Sequence, residues 1–277
     1  MEVFMAMDVP SQIEDSTPVL QINLTIFKLL KKERNEVEDL NLLFDQIKKY
    51  QDQLNNDLLI SFFAYLRNIC VLIVIREPQN EDLNKFRFEL FKDNLQRGLL
   101  HYEGQLDPSR VYSITEQAIR LGEFNWAYTF LEKYKAEFAM ENETQDIYNT
   151  NLALYYFGIG QFQQCLDHIP PTSPILDYML LGRRLELICM LELESELLSY
   201  KLDAFKMFLS RTSKKLLPES RRQRNLDFLN IFNQIFNCPP GDAKRAEKIL
   251  NRVLENKEAA DYPWLLSKAK RLAGKPD

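Results

Sequence analysis

Two histidines, four cysteines and one run of cations are the residues whose chemistry would matter most in this 277-residue chain. An imidazole titrates near neutral pH and suits a general base or a metal ligand. Neither His101 nor His168 has a second His nearby, and the Cys and carboxylates around them do not form a pattern that marks a metal site. Each reads instead as the end of a helix, where the macrodipole favours a cation. Cys70, Cys165, Cys189 and Cys238 are widely spaced and form no C-x-x-C pair. That spacing argues against a zinc ribbon or a thioredoxin-type site. Cys165 and Cys189 fall on apolar helix faces, where a free thiol behaves as a small hydrophobe. All four are read as reduced, which fits a cytoplasmic protein. There is no P-loop, dinucleotide glycine motif or nucleophile elbow. Gly158-Ile159-Gly160 is too short and too late in its helix to cradle phosphate. No catalytic residue, metal or cofactor is expected, and the chain is read as a non-enzyme.

The cations cluster between residues 206 and 224. Lys206, Arg211, Lys214, Lys215, Arg221 and Arg224, together with Arg222, face Glu219 as the stretch's one carboxylate. Such a patch could hold an anionic partner: nucleic acid, a lipid headgroup or an acidic peptide. The plainer reading is a solvated corner between helices in an acidic protein of net charge -5. Nucleic-acid binders are more often basic, and no aromatics alternate with these cations to form a stacking platform.

The elements that must carry these residues are helical throughout. Hydrophobic residues make up 45% of the chain and only 8 residues are Gly, which disfavours both disorder and a strand-rich fold. Residues 1–18, with Pro10 and Pro18, read as a loose start. From Val19 onward apolar residues recur at three and four positions: Leu20, Leu24, Phe27 and Leu30, then Leu40, Leu43, Phe44 and Ile47. Leu54 to Ile75 is apolar enough to sit inside a stack. Arg67 and Asn68 at its centre argue against membrane insertion. Pro78 breaks the chain, and Leu83 to Tyr102 reads as the next helix. Asp107-Pro108 reads as an N-cap followed by Pro at the first helical position.

One phrase then appears twice. Leu121-Gly122-Glu123-Phe124-Asn125-Trp126-Ala127 and Ile159-Gly160-Gln161-Phe162-Gln163-Gln164-Cys165 share a plan: apolar, Gly, polar, Phe, two spacers, small. Ala127 and Cys165 lie 38 positions apart, a period typical of stacked helical hairpins. A third copy has Leu193, Ser195 and Leu198 in the Gly, aromatic and small positions. A fourth keeps Gly241 and Ala246. Trp264 begins a short closing helix.

These hairpins resemble the tetratricopeptide repeat, over about residues 106–257. Gly122, Phe124, Ala127 and Leu131 match its turn and packing pattern, as do Gly160, Phe162, Cys165 and Ile169. The chain also resembles uncharacterised bacterial helical-repeat proteins that carry a Leu-Gly-Glu-Phe-x-Trp-Ala phrase. The resemblance implies an all-α, right-handed superhelix of antiparallel helix hairpins. Its parts are a loose segment (1–18), an irregular helical bundle or N-terminal repeats (19–105), the repeats (106–257) and a capping helix (258–277).

In the family the first helix of each repeat lines a concave groove. Carried onto matching positions, this nominates Tyr112, Glu116, Thr150 and Arg183, continued by Arg222 and Asn225. The expected function is therefore a non-catalytic module or scaffold that binds a peptide or protein partner. Two alternatives stay open: an anionic-surface or nucleic-acid binder through residues 206–224, and a structural subunit of a larger assembly. Partner identity and oligomeric state stay open as well.

Overall fold

Sequence spacing and local capping account for most of the helices. In the computed structural model, described over residues 17–32, 34–77, 80–138 and 144–276, 13 α-helices dominate and a single two-stranded ladder is present among those residues. The fold class is all-α. The loose segment expected at 1–18 falls almost wholly outside the described residues, and so does the expected break at Pro78.

Two compact units divide the chain, residues 1–151 and 152–277. The division falls inside α7 (Thr144–Gly158), whereas repeat spacing alone places boundaries at 105 and 257.

The first unit holds α1 (Pro18–Lys31), α2 (Val37–Tyr50), α3 (Asn56–Arg76), α4 (Glu81–Gln96), α5 (Pro108–Arg120) and α6 (Phe124–Tyr134). Their starts are chemically marked. Glu36 N donates to Asp39 Oδ2 at 2.8 Å, half of a capping box that opens α2. Asn55 and Asn80 each accept from a backbone N–H of the following first turn, and Asp107 accepts from Ser109 N at 2.9 Å. Such caps satisfy N–H groups that the helix leaves without partners. Each helix packs on its successor in the chain. Ile22, Leu40, Leu43, Ile47 and Phe63 are fully enclosed, and Phe44 meets Phe63 and Phe86 edge-on.

The helix expected to run to Tyr102 ends earlier, at Gln96. The chain then turns through β1 (His101–Tyr102) and β2 (Gln105–Leu106), paired antiparallel with His101 opposite Leu106. Glu103 and Gly104 at the tip both have positive φ, 51° and 79°, as the primed turn of a tight hairpin requires. His101 is therefore a strand residue, not a helix terminus. Its Nε2 lies 2.7 Å from Glu137 Oε2.

The second unit holds the end of α7, then α8 (Phe162–His168), α9 (Leu176–Glu192), α10 (Leu198–Arg211), α11 (Glu219–Phe236), α12 (Ala243–Glu255) and α13 (Tyr262–Leu272). The cap expected at Ser173-Pro174 is displaced, because α9 begins at Leu176. Contacts again run between neighbours in sequence, from α8 on α9 to α12 on α13, with α13 also against α11. Phe228 and Phe232 are fully buried, and Trp264 stacks on Phe232 at 5.8 Å.

The repeated phrase has one local geometry. Gly122 and Gly160 sit at φ +75° and +74°. Around the first, Glu123 N donates to Ala118 O at 2.9 Å and Gly122 N to Ile119 O at 3.0 Å. Around the second, Gln161 N donates to Tyr156 O at 2.9 Å and Gly160 N to Phe157 O at 3.0 Å. This is the Schellman pattern, which closes the last carbonyls of a helix through one left-handed residue. After α9 the same pair of bonds forms around Glu194, at φ +53°. The left-handed position is Glu194, not the Leu193 that alignment suggests. The turn to the next buried position is one residue shorter there, at Leu198. Ala127, Cys165, Leu198 and Ala246 are all buried.

Candidate functional site

The sequence-derived groove residues separate into two groups. Tyr112, Glu116 and Arg183 keep partial exposure. Glu116 pairs with Arg120 at 2.6 Å. The guanidinium of Arg183 sits 4.5 Å above the Phe208 ring. Thr150, Arg222 and Asn225 are buried, which corrects their assignment to a surface groove. Thr150 donates to Asp146 O at 2.7 Å. Arg222 donates to Thr212 O at 2.6 Å and so ties the start of α11 to the preceding loop. Asn225 donates to Arg221 O at 2.9 Å and accepts from Arg184 Nη1 at 3.0 Å. These three hold the fold together from within. Helical spacing alone does not distinguish a buried polar residue from a groove-lining one.

The basic stretch is partly neutralised by its own chain. Lys206 pairs with Asp203, Lys214 with Glu219 and Arg221 with Asp177. Arg224 donates to Glu258 O at 2.8 Å. Arg211 and Lys215 are exposed and have no ion-pair partner among the described residues. Next to them lies a surface that sequence reasoning missed. Leu197, Tyr200 and Met207 are 58%, 71% and 47% exposed. Their spacing of three and seven residues puts them on one outward face at α10, which Arg211 continues one turn later. The signal was present as a second apolar stripe on a helix that already had one in Leu198, Leu202, Phe205 and Leu209.

The titratable candidates are engaged structurally. His168 Nδ1 lies 2.7 Å from Gln164 O and its ring packs on Tyr156. Cys70, Cys165 and Cys189 are buried free thiols. A hydrogen bond with Cys189, reinforced by burial, pushes the Cys165 thiol far above its ordinary range. Burial pushes Cys70 up to about 12. Thiols in that state are poor nucleophiles. Among the described residues no group of three or more His, Cys, Asp or Glu stands close enough to hold a metal ion.

A cavity of about 600 Å³ opens in the first unit between the start of α2 and the start of α4. Apolar Phe44, Ile73 and Phe86 share its lining with the carboxylates Glu36, Glu77 and Asp82. Residues 33, 78 and 79, its neighbours in the chain, lie outside the described residues.

The first unit also carries an arginine on each of α3, α4 and α5, with α4 packed on both of the others. Arg67 projects from the most apolar helix and hydrogen-bonds the Asn94 side-chain oxygen. Asn94 is fully buried. Arg110 donates to Leu100 O at 2.6 Å. Arg87 donates to Gln117 Oε1 at 3.0 Å and lies over the Phe91 ring. Gln117 in turn donates to Asn84 O at 3.0 Å. Asn84, Arg87, Phe91 and Asn94 repeat at three- and four-residue steps and so form one stripe of α4. All three arginines are half-buried, and none has a carboxylate partner among the described residues. Burial lowers Arg67 to about 10, and the neighbouring charge of Arg110 adds to the effect.

The helix that carries Arg67 is long and apolar enough to cross a membrane over Asn56–Val74, by length and composition alone. One of its faces is enclosed by Phe62, Phe63, Leu66, Ile69 and Cys70, while Tyr65, Val71 and Leu72 are exposed. It is not buried all round, as its composition suggests.

Comparison with known proteins adds no relative: no protein-family model, curated protein or solved structure matches the chain.

Proposed function

We propose that this chain is a non-catalytic protein-interaction module built from tetratricopeptide-like helical hairpins stacked into a right-handed superhelix, working in the cytoplasm. Helices packed on their sequence neighbours and the shared turn geometry at Gly122, Gly160 and Glu194 support the hairpin reading. The observation that carries the function is the outward stripe of Leu197, Tyr200 and Met207. A folded helix gains nothing from a second apolar face in water, and such faces mark contact surfaces. Arg211 and Lys215 beside it give the partner its chemistry: a polypeptide segment with apolar and acidic residues. Tyr112 and Glu116 in the first unit and Arg183 in the second remain the candidates for first-helix contacts.

The test is affinity capture from lysate of the source cells, with and without nuclease, for the wild type and for Tyr200→Asp/Met207→Asp, Arg183→Glu and Tyr112→Ala. The expected result is a stoichiometric polypeptide that survives nuclease and is lost in the α10 double variant or in Arg183→Glu. A polypeptide retained by all three variants overturns the assignment of these surfaces. Recovery of nucleic acid, with binding that falls steeply as salt rises, transfers the function to residues 206–224 and overturns the proposal.

A further inference from the structure

The outward stripe of α10 has a regular order. Leu197, Tyr200, Ala204, Met207 and Arg211 follow one another at steps of three, four, three and four, and each is partly or fully exposed. That alternation averages about 3.5 residues, the spacing that keeps one seam of a helix against a second helix along its length. The seam runs about 21 Å from Leu197 to Arg211. Its flanks are neutralised within the chain, because Lys206 pairs with Asp203 and Lys201 with Glu186. Its two ends are not, and they carry opposite charge. Glu194 and Glu196, just before the first turn, are exposed and have no ion-pair partner among the described residues. Arg211 and Lys215, at and beyond the last turn, are in the same state.

We propose that the occupant of this face is a second copy of this chain, with the two α10 helices antiparallel about a two-fold axis near Ala204. The proposal rests on α10 being a contact surface, and it names the partner. The choice follows from charge. An antiparallel pair sets the acidic end of each copy on the basic end of the other, twice over, as an isologous interface requires. A parallel pair sets Glu194 and Glu196 against their own copies and Arg211 against Arg211. The partner chemistry that Arg211 and Lys215 call for is apolar residues beside carboxylates. The chain itself offers that in Glu194, Glu196 and Leu197. Ala204 stands seven residues from both Leu197 and Arg211, and its small side chain at the axis lets the two backbones approach. Tyr200 then lies across from Met207 of the second copy, where thioether and ring make a favourable contact.

The experiment is sedimentation velocity of the whole chain over a concentration series. The wild type is expected to approach twice the mass of one chain, and Tyr200→Asp/Met207→Asp to stay at the mass of one. Glu194→Lys/Glu196→Lys and Arg211→Glu/Lys215→Glu should each weaken self-association by about tenfold or more, because like charges then face each other at both ends. An equimolar mixture of these two charge variants should recover the dimer, since every lysine or arginine end again meets a glutamate end. Circular dichroism verifies that each variant is folded. A mixture that stays monomeric overturns the antiparallel pairing, and a dimer that persists in every variant places the interface elsewhere and overturns the proposal. A wild type that stays monomeric at all concentrations overturns the second copy as occupant. In that case, a polypeptide captured from lysate and lost in Tyr200→Asp/Met207→Asp leaves α10 as a contact surface for a different partner, whereas capture unaffected by that variant removes both readings.

Discussion

Both units place cations at helix contacts, and each meets them with carboxylates at some positions and with neutral groups at others. In the second, Arg184 meets Asp261 at 2.6 Å, Lys201 meets Glu186 at 2.6 Å and Lys268 meets Glu192 at 2.9 Å. In the first, Arg67, Arg87 and Arg110 meet amide oxygens, a carbonyl and an aromatic face. The apolar cores are built alike. Both use enclosed Leu, Ile and Phe side chains on neighbouring helices. The contrast is one of positions rather than of units: Lys92 pairs with Glu89 at 2.7 Å in the first, while in the second Arg183 lies over the Phe208 ring and Arg222 donates to Thr212 O.

The largest effects should not discriminate between the units. Phe63→Ala and Phe232→Ala each remove a fully buried ring. Each should cost about 3–5 kcal/mol in urea denaturation. If one is silent, the two cores are not equivalent. The next effect belongs to a position paired with a carboxylate. Asp261→Asn keeps the shape and removes the charge opposite Arg184, and should cost about 2–3 kcal/mol. An unchanged midpoint would mean that solvent neutralises Arg184 already.

A position paired with a neutral group should respond with a different signature. Arg67→Met leaves the buried Asn94 oxygen without its donor and should cost about 1–2 kcal/mol. Adding Asn94→Leu removes the orphaned group, and the double variant should return to wild-type stability or exceed it by about 1 kcal/mol. A double variant less stable than Arg67→Met would show that Arg67 is needed to hold the fold.

The smallest effect tests the turns that both units share. Glu194→Gly should stabilise by about 1 kcal/mol, because a side chain is strained at its left-handed φ. Gly160→Ala should destabilise by a similar amount. Nothing lies within 4 Å of a Cβ added there, so the cost is that of the backbone alone.

These contrasts also show what was readable in the sequence. The all-α class, most helix starts and the paired turns at Gly122 and Gly160 were legible, because caps, apolar spacing and left-handed glycines are local signals. The left-handed Glu194 was not, because glutamate has no preference for that conformation. The hairpin at 101–106 was hidden for a related reason. Its tip pairs Gly104 with Glu103, in place of the Asn or Asp that announces such a turn. Thr150, Arg222 and Asn225 show the limit on sites: their helix positions were readable but their burial depends on partners distant in sequence. Arg67 was visible only as an interruption of an apolar run. Its hydrogen bond to the buried Asn94 of α4 is a product of tertiary packing.

Affinity capture by the wild type and by Tyr200→Asp/Met207→Asp tests the interaction account most directly. The account predicts a stoichiometric polypeptide that survives nuclease and is lost in the double variant, with its circular dichroism unchanged. A polypeptide retained by the double variant, or recovery of nucleic acid alone, would contradict it.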